Sequence, residues 1–277
     1  MVLIADGGST KTEWKLINNG TETESILTAG INPYFLSSGE IYQLLDRDLK
    51  SVLKGSPDKI FFYGTGCNSE IKNNIVRSPL EKIFHGCEIF IGSDLLGAAR
   101  SLCHDQPGIA CIMGTGSNSC YYNGSGIISN VSPLGYILGD EGGGAVLGRK
   151  LVSAVLKKQV SKPVIDAFFN TYKITPSEIL DCVYTKPSPN RFLGQFAKFI
   201  SENIHIPELQ DIIISSFDEF IIRNILQYPE SKQLPVHFTG SIAFYFRSFL
   251  EDQINKYHLK VGKITLSPAA GLVRFHT

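Results

Sequence analysis

The chain has 277 residues, 43% hydrophobic and 19% charged, with 26 Lys+Arg against 26 Asp+Glu. This globular composition suits one large domain or two ordinary ones, and the balanced charge argues against nucleic acid as a partner. The six cysteines include no Cys-x-x-Cys pair, so zinc-ribbon and thioredoxin readings find no support. They lie mostly in or beside apolar runs, which favours reduced thiols and a reducing compartment.

Met1-Val-Leu-Ile-Ala5 meets Asp6 at once, without the basic start or long apolar stretch of a signal peptide. No apolar run is long enough to span a bilayer. The expected setting is therefore cytoplasmic, with no membrane partner. Asn123-Gly-Ser125 and Asn130-Val-Ser132 match the glycosylation triplet but read as chance in such a chain.

Val2 to Ala5 reads as a buried strand, followed by the polar turn Asp6-Gly-Gly-Ser-Thr-Lys-Thr12. Glu13 to Ile17 alternates, Asn19-Gly20 is a hairpin turn signal, and Thr21 to Ala29 is a further strand. A helix is expected near 38–54, with Ser37 and Glu40 at capping-box spacing and Ile41, Leu44, Leu45, Leu49, Val52 and Leu53 at helical intervals. Lys59 to Tyr63 is the next strand. Ser78-Pro79-Leu80-Glu81 predicts a capped helix start with proline in its first turn. Glu88 to Ile91 is a strand with Asp94 just beyond its end, and Leu95 to Cys103 is helical.

The scheme then restarts. Ile109 to Met113 is a strand, Gly114-Thr-Gly-Ser-Asn118 a turn, and Cys120–Tyr122 and Ile127–Ser129 flank an Asn-Gly hairpin turn. Both halves thus show strand, Gly/Thr/Ser turn, strand, Asn-Gly turn, strand, a duplication at the level of architecture. Gly142 to about Tyr228 is mainly helical, with a capping box at Thr175–Glu178. Pro235–Phe238 and Lys263–Leu266 read as strands, Ile242–Tyr257 as one helix, and Ala269 opens a closing helix. The domain boundary is expected near Asp105–Gly108.

Five constellations can carry chemistry. In Asp6–Thr12, glycines let the backbone approach a phosphate while Ser9, Thr10 and Lys11 supply donors, and Asp6 suits Mg²⁺. The bland reading is a hairpin turn; neither a Walker A loop nor Gly-x-Gly-x-x-Gly is present. Gly114–Asn118 is a second such turn, and two of them can clamp a polyphosphate. Asp94, at the carboxyl end of a strand, can accept the proton of an attacking hydroxyl, or it can be a helix N-cap. In Gly139-Asp-Glu-Gly-Gly-Gly144 the acids can bind sugar hydroxyls or a metal, or can favour a helix start. Phe238-Thr-Gly-Ser-Ile242 can admit an adenine or ribose by close backbone approach. The six histidines show no His-Glu-x-x-His pattern.

In this order the motifs resemble the BadF/BadG/BcrA/BcrD-type ATPase family of the actin, heat-shock ATPase and sugar kinase superfamily, and within it the N-acetylglucosamine kinases. The resemblance is strongest over Met1–Gly148 and weak over 150–234. It implies an α/β fold of two ribonuclease-H-like (actin-like ATPase) domains, each a mixed sheet flanked by helices, with an interdomain cleft. The expected domains are 1–106, joined by a C-terminal helix 268–277, and 107–267.

The resemblance further implies ATP with Mg²⁺ at Asp6, and phosphate binding by Gly8, Ser9, Thr10, Lys11, Thr115 and Gly116. It implies Gly240 and Ser241 beside the adenosine, and Asp94 as general base on a sugar 6-hydroxyl. Asn32, Ser117, Asn118, Gly135 and Asp140, together with Asp94, would bind the amino sugar, and the chain would be a homodimer. Pro133-Leu134-Gly135 stands where such kinases often carry Gly-Trp-Gly, and no nucleotide-side glycine loop is recognisable between 190 and 230. Two rivals stand beside this reading. One is an activator ATPase coupled to electron transfer, with Cys120 or Cys182 near an iron–sulfur cluster. The other is a non-catalytic sugar sensor, to which retention of Asp6, Asp94 and Asp140 is less suited.

Overall fold

The computed structural model describes residues 1–8 and 10–277. In chain order they form β1 (Val2–Gly7), β2 (Lys11–Asn18), β3 (Thr21–Ala29), α1 (Ser38–Leu45), a π-helical turn (Asp46–Lys50), β4 (Lys59–Gly64), α2 (Glu70–Ile83), β5 (Glu88–Ser93) and α3 (Asp94–Cys103). Next come β6 (Pro107–Met113), β7 (Ser117–Asn123), β8 (Ile127–Ser129), α4 (Gly135–Leu138), α5 (Gly144–Leu156), α6 (Lys162–Tyr172), α7 (Pro176–Tyr184), α8 (Pro189–Gly194), α9 (Ala197–Glu202) and α10 (Pro207–Arg223). The chain closes with β9 (Pro235–Thr239), α11 (Ser241–Tyr245), α12 (Arg247–Lys256), β10 (Lys260–Thr265) and α13 (Ala269–His276). Contacts divide it into two compact units. One is Met1–Gln106 with Tyr122–Ile127 and Ser267–Thr277; the other is Pro107–Tyr121 with Ile128–Leu266.

The first unit carries a mixed sheet of order β3-β2-β1-β4-β5, in which β1, β4 and β5 are parallel and β2 is antiparallel to both its neighbours. Successive side chains of a strand face opposite sides, so the apolar runs of β1 and β4 fill both faces. Leu3, Ala5, Ile60 and Phe62 pack with Ile41 and Leu45 of α1 and Val76 and Leu80 of α2. Ile4 and Tyr63 pack with Leu272 of α13 on the opposite face. Asn19 and Gly20 turn the β2–β3 hairpin at φ +49° and +76°.

The second unit is built on the sheet β10-β9-β6-β7-β8, with β6, β9 and β10 parallel. Read from β8, this order repeats that of the first sheet, which is the duplication expected from the sequence. Its core joins Cys111 and Met113 of β6 to Leu147 of α5, Phe217 of α10, Phe238 of β9 and Leu250 of α12. None of the six cysteines is in a disulfide. Among the described residues no helix is long and apolar enough to cross a membrane.

Three helix expectations are corrected. The helix begun at Ser38 stays α-helical only to Leu45 and continues as the π turn, which leaves Val52 exposed. The segment 242–257 is two helices, broken at the buried Phe246 (φ −105°, ψ 26°).

Ser78-Pro79 does not start a helix. It lies inside α2, whose N-cap is Ser69, with its hydroxyl accepting from Lys72 N. Proline lacks the N–H that would bond the carbonyl four residues back. Here that carbonyl, of Ile75, accepts instead from the Ser38 hydroxyl at 2.9 Å. Removing that donor leaves a half-buried carbonyl unpaired, a loss of about 1 kcal/mol. Ser38→Ala is therefore expected to lower the urea midpoint, and to do so much less in a Pro79→Ala background, where the helix regains its own donor. An equal loss in both backgrounds would refute the substitution of Ser38 for the missing N–H.

Candidate active site

In the first unit the three parallel strands end in register. Gly7 pairs with Gly64 and Gly64 with Ser93, so the turns that follow emerge side by side. Asp94 opens α3, but the N-cap is Ser93, whose Oγ accepts from Leu96 N at 3.1 Å. The capping alternative thus belongs to its neighbour, and the Asp94 carboxylate is otherwise engaged. Its Oδ1 accepts from Leu95 N and its Oδ2 from the Thr65 hydroxyl, each at 2.8 Å. Burial raises its pKa against the opposing pull of these bonds.

Asp6, on β1, is pushed up to about 7, first by burial, then by the charges of Asp94 and Glu13; a Ser267 hydrogen bond and Lys11 oppose the shift. The Ser267 hydroxyl lies 3.5 Å from Asp6 Oδ2 and 3.4 Å from Glu13 Oε2. The β1–β2 turn is closed by Gly8 N donating to Lys11 O at 2.9 Å, and Gly30 N donates to Thr10 O at 3.1 Å. That second bond ties the turn to the loop bearing Asn32. Thr10 and Lys11 are exposed; Ser9 lies outside the described residues.

Asn32 is buried, and its Oδ1 accepts from Tyr34 N at 2.9 Å. It rests against Gly66, where a Cβ would come within 2.7 Å of that oxygen and φ is +85°. Only glycine meets both conditions without strain. The first unit therefore gathers Asp6, Gly8, Thr10, Lys11, Asn32 and Asp94 around the ends of three strands.

In the second unit the Gly114–Asn118 turn is pinned by Gly114 N donating to Gly116 O, while Gly144 N and Ala145 N of α5 donate to the carbonyls of Gly114 and Thr115. Helix α5 thus has its opening donors satisfied by a distant turn, which explains its glycine N-cap without a side-chain bond. Among the described residues no protein acceptor bonds the N–H groups of Thr115 and Gly116, and the Thr115 side chain is exposed. Ser117 N donates to Asp140 Oδ1 at 3.1 Å and Ser117 Oγ to Glu141 O at 2.7 Å. Asn118 Oδ1 accepts from Asn130 Nδ2 at 2.9 Å.

Asp140 adopts φ +53°, and burial raises its pKa. A Cβ on Gly116 would meet its carboxylate at 2.8 Å. Glu141, next in sequence, turns the other way and bonds Arg223 at 2.6 Å and Asn224 at 3.3 Å, both at the end of α10. Neither acid sits in the first turn of α5, so the helix-start reading of Gly139–Gly144 is set aside. Gly240, at the end of β9, lies against the backbone of Met113 and Gly114 and donates to Thr265 O at 3.0 Å. Ser241 is exposed beside it. Gly135 is exposed at the start of α4, and its carbonyl accepts from Gly139 N at 2.8 Å.

Four residues escaped the sequence reading: Glu13, Thr65, Gly194 and Ser267. Thr65 carried a legible signal, because Gly64-Thr-Gly66 after a buried strand echoes Gly114-Thr-Gly116. Gly194, at the end of α8, packs 3.3 Å from the Thr115 methyl by its absent Cβ. Glu13 and Ser267 meet only through the fold, at positions remote in sequence.

Two sheets of the same strand order, each flanked by helices, define the actin-like ATPase and sugar kinase fold. A ROK-family glucokinase from Streptomyces griseus, solved with glucose and AMPPNP, shares that fold at TM-score 0.59 and 12% identity, over 99% of this chain and 97% of that one. The crystal structure of a proposed N-acetylglucosamine kinase from Porphyromonas gingivalis matches at TM-score 0.94 and 42% identity, over 100% of this chain and 98% of that one. The chain belongs to the N-acetylglucosamine kinase family that its sequence resembles. A second proposed N-acetylglucosamine kinase, from Chromobacterium violaceum, matches at TM-score 0.78 and 17% identity, over 100% of this chain and 98% of that one. No family sequence profile and no curated protein sequence matches the chain.

The raised Asp6 has a testable consequence. Between the ordinary carboxyl pKa and about 7 the unfolded chain has lost a proton that the folded chain keeps. Stability therefore falls as pH rises through this window. Asp6→Asn, which removes the charge at constant shape, is expected to be more stable than wild type at pH 8 by roughly 1–3 kcal/mol, with the gap closing toward pH 4. Thermal melts across pH check this; a variant no more stable at pH 8 would refute the electrostatic strain.

Proposed function

We propose that the protein is an ATP-dependent sugar kinase that transfers the γ-phosphoryl group to the 6-hydroxyl of N-acetylglucosamine or a related amino sugar. The observation that carries this reading is the Asp94 carboxylate. It is half-buried at the end of β5, held at both oxygens, raised in pKa and not consumed as a cap. A carboxylate with a raised pKa is a better match for accepting a hydroxyl proton near neutral pH. Likeness to a proposed N-acetylglucosamine kinase at 42% identity supports the substrate class.

In this reading Asp94 accepts the proton of the sugar hydroxyl as that oxygen attacks phosphorus. Gly8, Thr10 and Lys11, and the unpaired N–H groups of Thr115 and Gly116 with the Thr115 hydroxyl, bind phosphate oxygens. Ser9 is assigned there from the sequence alone. Asn32, Ser117, Asn118, Gly135 and Asp140 orient the sugar, and Gly240 and Ser241 border the adenosine. Most of the rate enhancement comes from positioning and charge stabilisation.

The carboxylates around Asp6 suit a cation. Asp6 is raised by burial and then by the charges of Asp94 and Glu13, with Lys11 as a counter-charge acting on it. Among the described residues no three His, Cys, Asp or Glu side chains group closely enough to ligate a metal directly. Asp6 therefore suits Mg²⁺ held through water, a common arrangement for that ion, which would supply positive charge opposite the phosphates. The electron-transfer and sensor alternatives are not favoured, since the relative at 42% identity is a proposed kinase. The reading also carries a homodimer, which sedimentation would check.

Asp94→Asn is expected to lower sugar-dependent ADP release by about 10²–10⁴-fold, the usual contribution of a general base. Binding of an ATP analogue by calorimetry should stay close to wild type. Near-wild-type turnover would remove Asp94 from the base role. A panel of amino and neutral hexoses in the same assay identifies the acceptor, and ADP release independent of any sugar would overturn the kinase reading.

A further inference from the structure

The Gly64-Thr-Gly-Cys67 turn between β4 and α2 was not among the motifs that pointed to chemistry, yet it touches two residues of the proposed acceptor site. Thr65 N donates to Gly7 O at 2.8 Å, which locks the turn to the end of β1. The Thr65 hydroxyl donates to Asp94 Oδ2 at 2.8 Å, and the next residue, Gly66, has no Cβ to displace the Asn32 amide. Because β1, β4 and β5 end in register, no other backbone segment is needed to bring Thr65 to Asp94.

We propose that Thr65 is a positioning residue: its hydroxyl fixes the orientation of the Asp94 carboxylate, so that a defined oxygen lone pair faces the acceptor hydroxyl. This rests on the kinase reading of Asp94.

The geometry is over-determined for mere burial of a polar group. A carboxylate can turn about its Cα–Cβ and Cβ–Cγ bonds, and a single donor on one oxygen leaves the second free to swing. Asp94 has a donor on each oxygen, Leu95 N on Oδ1 and Thr65 on Oδ2, both at 2.8 Å and from different elements. A carboxylate accepts at about four lone-pair positions, so this clamp leaves acceptor capacity on both oxygens. A neutral hydroxyl is far too weak a base to take the sugar's proton, so Thr65 acts only through the proton it donates to Asp94. Donors to the charged form also oppose the upward shift that burial imposes on the carboxylate.

Thr65→Val keeps shape and removes the donor; Thr65→Ser keeps the donor and removes the methyl. The valine variant is expected to lose roughly 10- to 100-fold in kcat, as for a lost charge-assisted hydrogen bond, with the sugar KM changed by less than about threefold. Its acid limb in the kcat–pH profile should move upward, because the carboxylate has lost a stabilising donor. The serine variant should stay close to wild type in all three. A second readout needs no activity: the Asp94 carboxyl carbon, followed by NMR against pH and assigned by its loss in Asp94→Asn, should titrate higher in the valine variant than in wild type or Thr65→Ser.

An unmoved titration and unchanged kcat in the valine variant would overturn the proposal. So would equal losses in the valine and serine variants with a lowered melting temperature, which is the signature of packing. If wild type itself shows no sugar-dependent phosphoryl transfer, the kinase reading fails and the positioning role for catalysis fails with it. The NMR titration then still decides whether Thr65 controls the Asp94 proton.

Discussion

Everything in the first unit that bears on chemistry depends on three parallel strands stopping on one row. Parallel strands present their carboxyl ends to the same edge of the sheet, and β1, β4 and β5 reach it at Gly7, Gly64 and Ser93. The consequence is forced proximity of Asp6, Thr65 and Asp94, which are far apart in sequence. Proximity of acids is unfavourable: burial and mutual repulsion push Asp6 up to about 7. A sheet built only for stability would place an amide or hydroxyl in place of Asp6 or Asp94. The retained strain is what a site needs if positive charge is to arrive with its ligand.

The second unit reaches a similar end by other means. Its sheet has the same strand order, and its turns again gather at the ends of parallel strands, here β6 and β9. Its anchoring relies on backbone rather than carboxylate repulsion. The carbonyls of Gly114 and Thr115 receive the first donors of α5, so the turn and the helix stabilise each other. Glu141 bonds Arg223 and Asn224, which holds the Gly139–Gly144 loop to the end of α10. Asp140 is left in a left-handed conformation that few non-glycine residues adopt, with its carboxylate against Gly116. Two adjacent acids thus have separate tasks, one anchoring the loop and one presented beside Ser117.

Much of the fold was readable because its signals are local. Apolar runs marked the strands, Asn19-Gly20 marked a hairpin, and the capping boxes at Ser37 and Thr175 marked helix starts. Failures came where a distant partner replaced a local rule. Pro79 reads as a first-turn proline, yet Ser38, forty-one positions away, supplies the bond its ring removes. The apparently continuous helix 242–257 breaks at Phe246, where the backbone leaves the helical region. The site residues divide in the same way. Glycine turns and strand-end acids are visible as composition. Thr65 carries a faint echo of the Gly114–Gly116 turn, whereas Glu13 and Ser267 gain meaning only from what the fold sets beside them.

The same logic separates Asp94 from an ordinary helix-start acid. In sequence, Asp94 can satisfy the orphan N–H groups of α3 as its N-cap. The structure gives that task to Ser93, so the acid is not required for helix formation. An acid kept in a crowded, partly desolvated position that raises its pKa, when its neighbour already performs the local structural task, needs another reason to be there. Proton acceptance from a bound hydroxyl supplies one. Under the proposed reading it would use the raised pKa directly and make the Thr65 donor part of the chemistry.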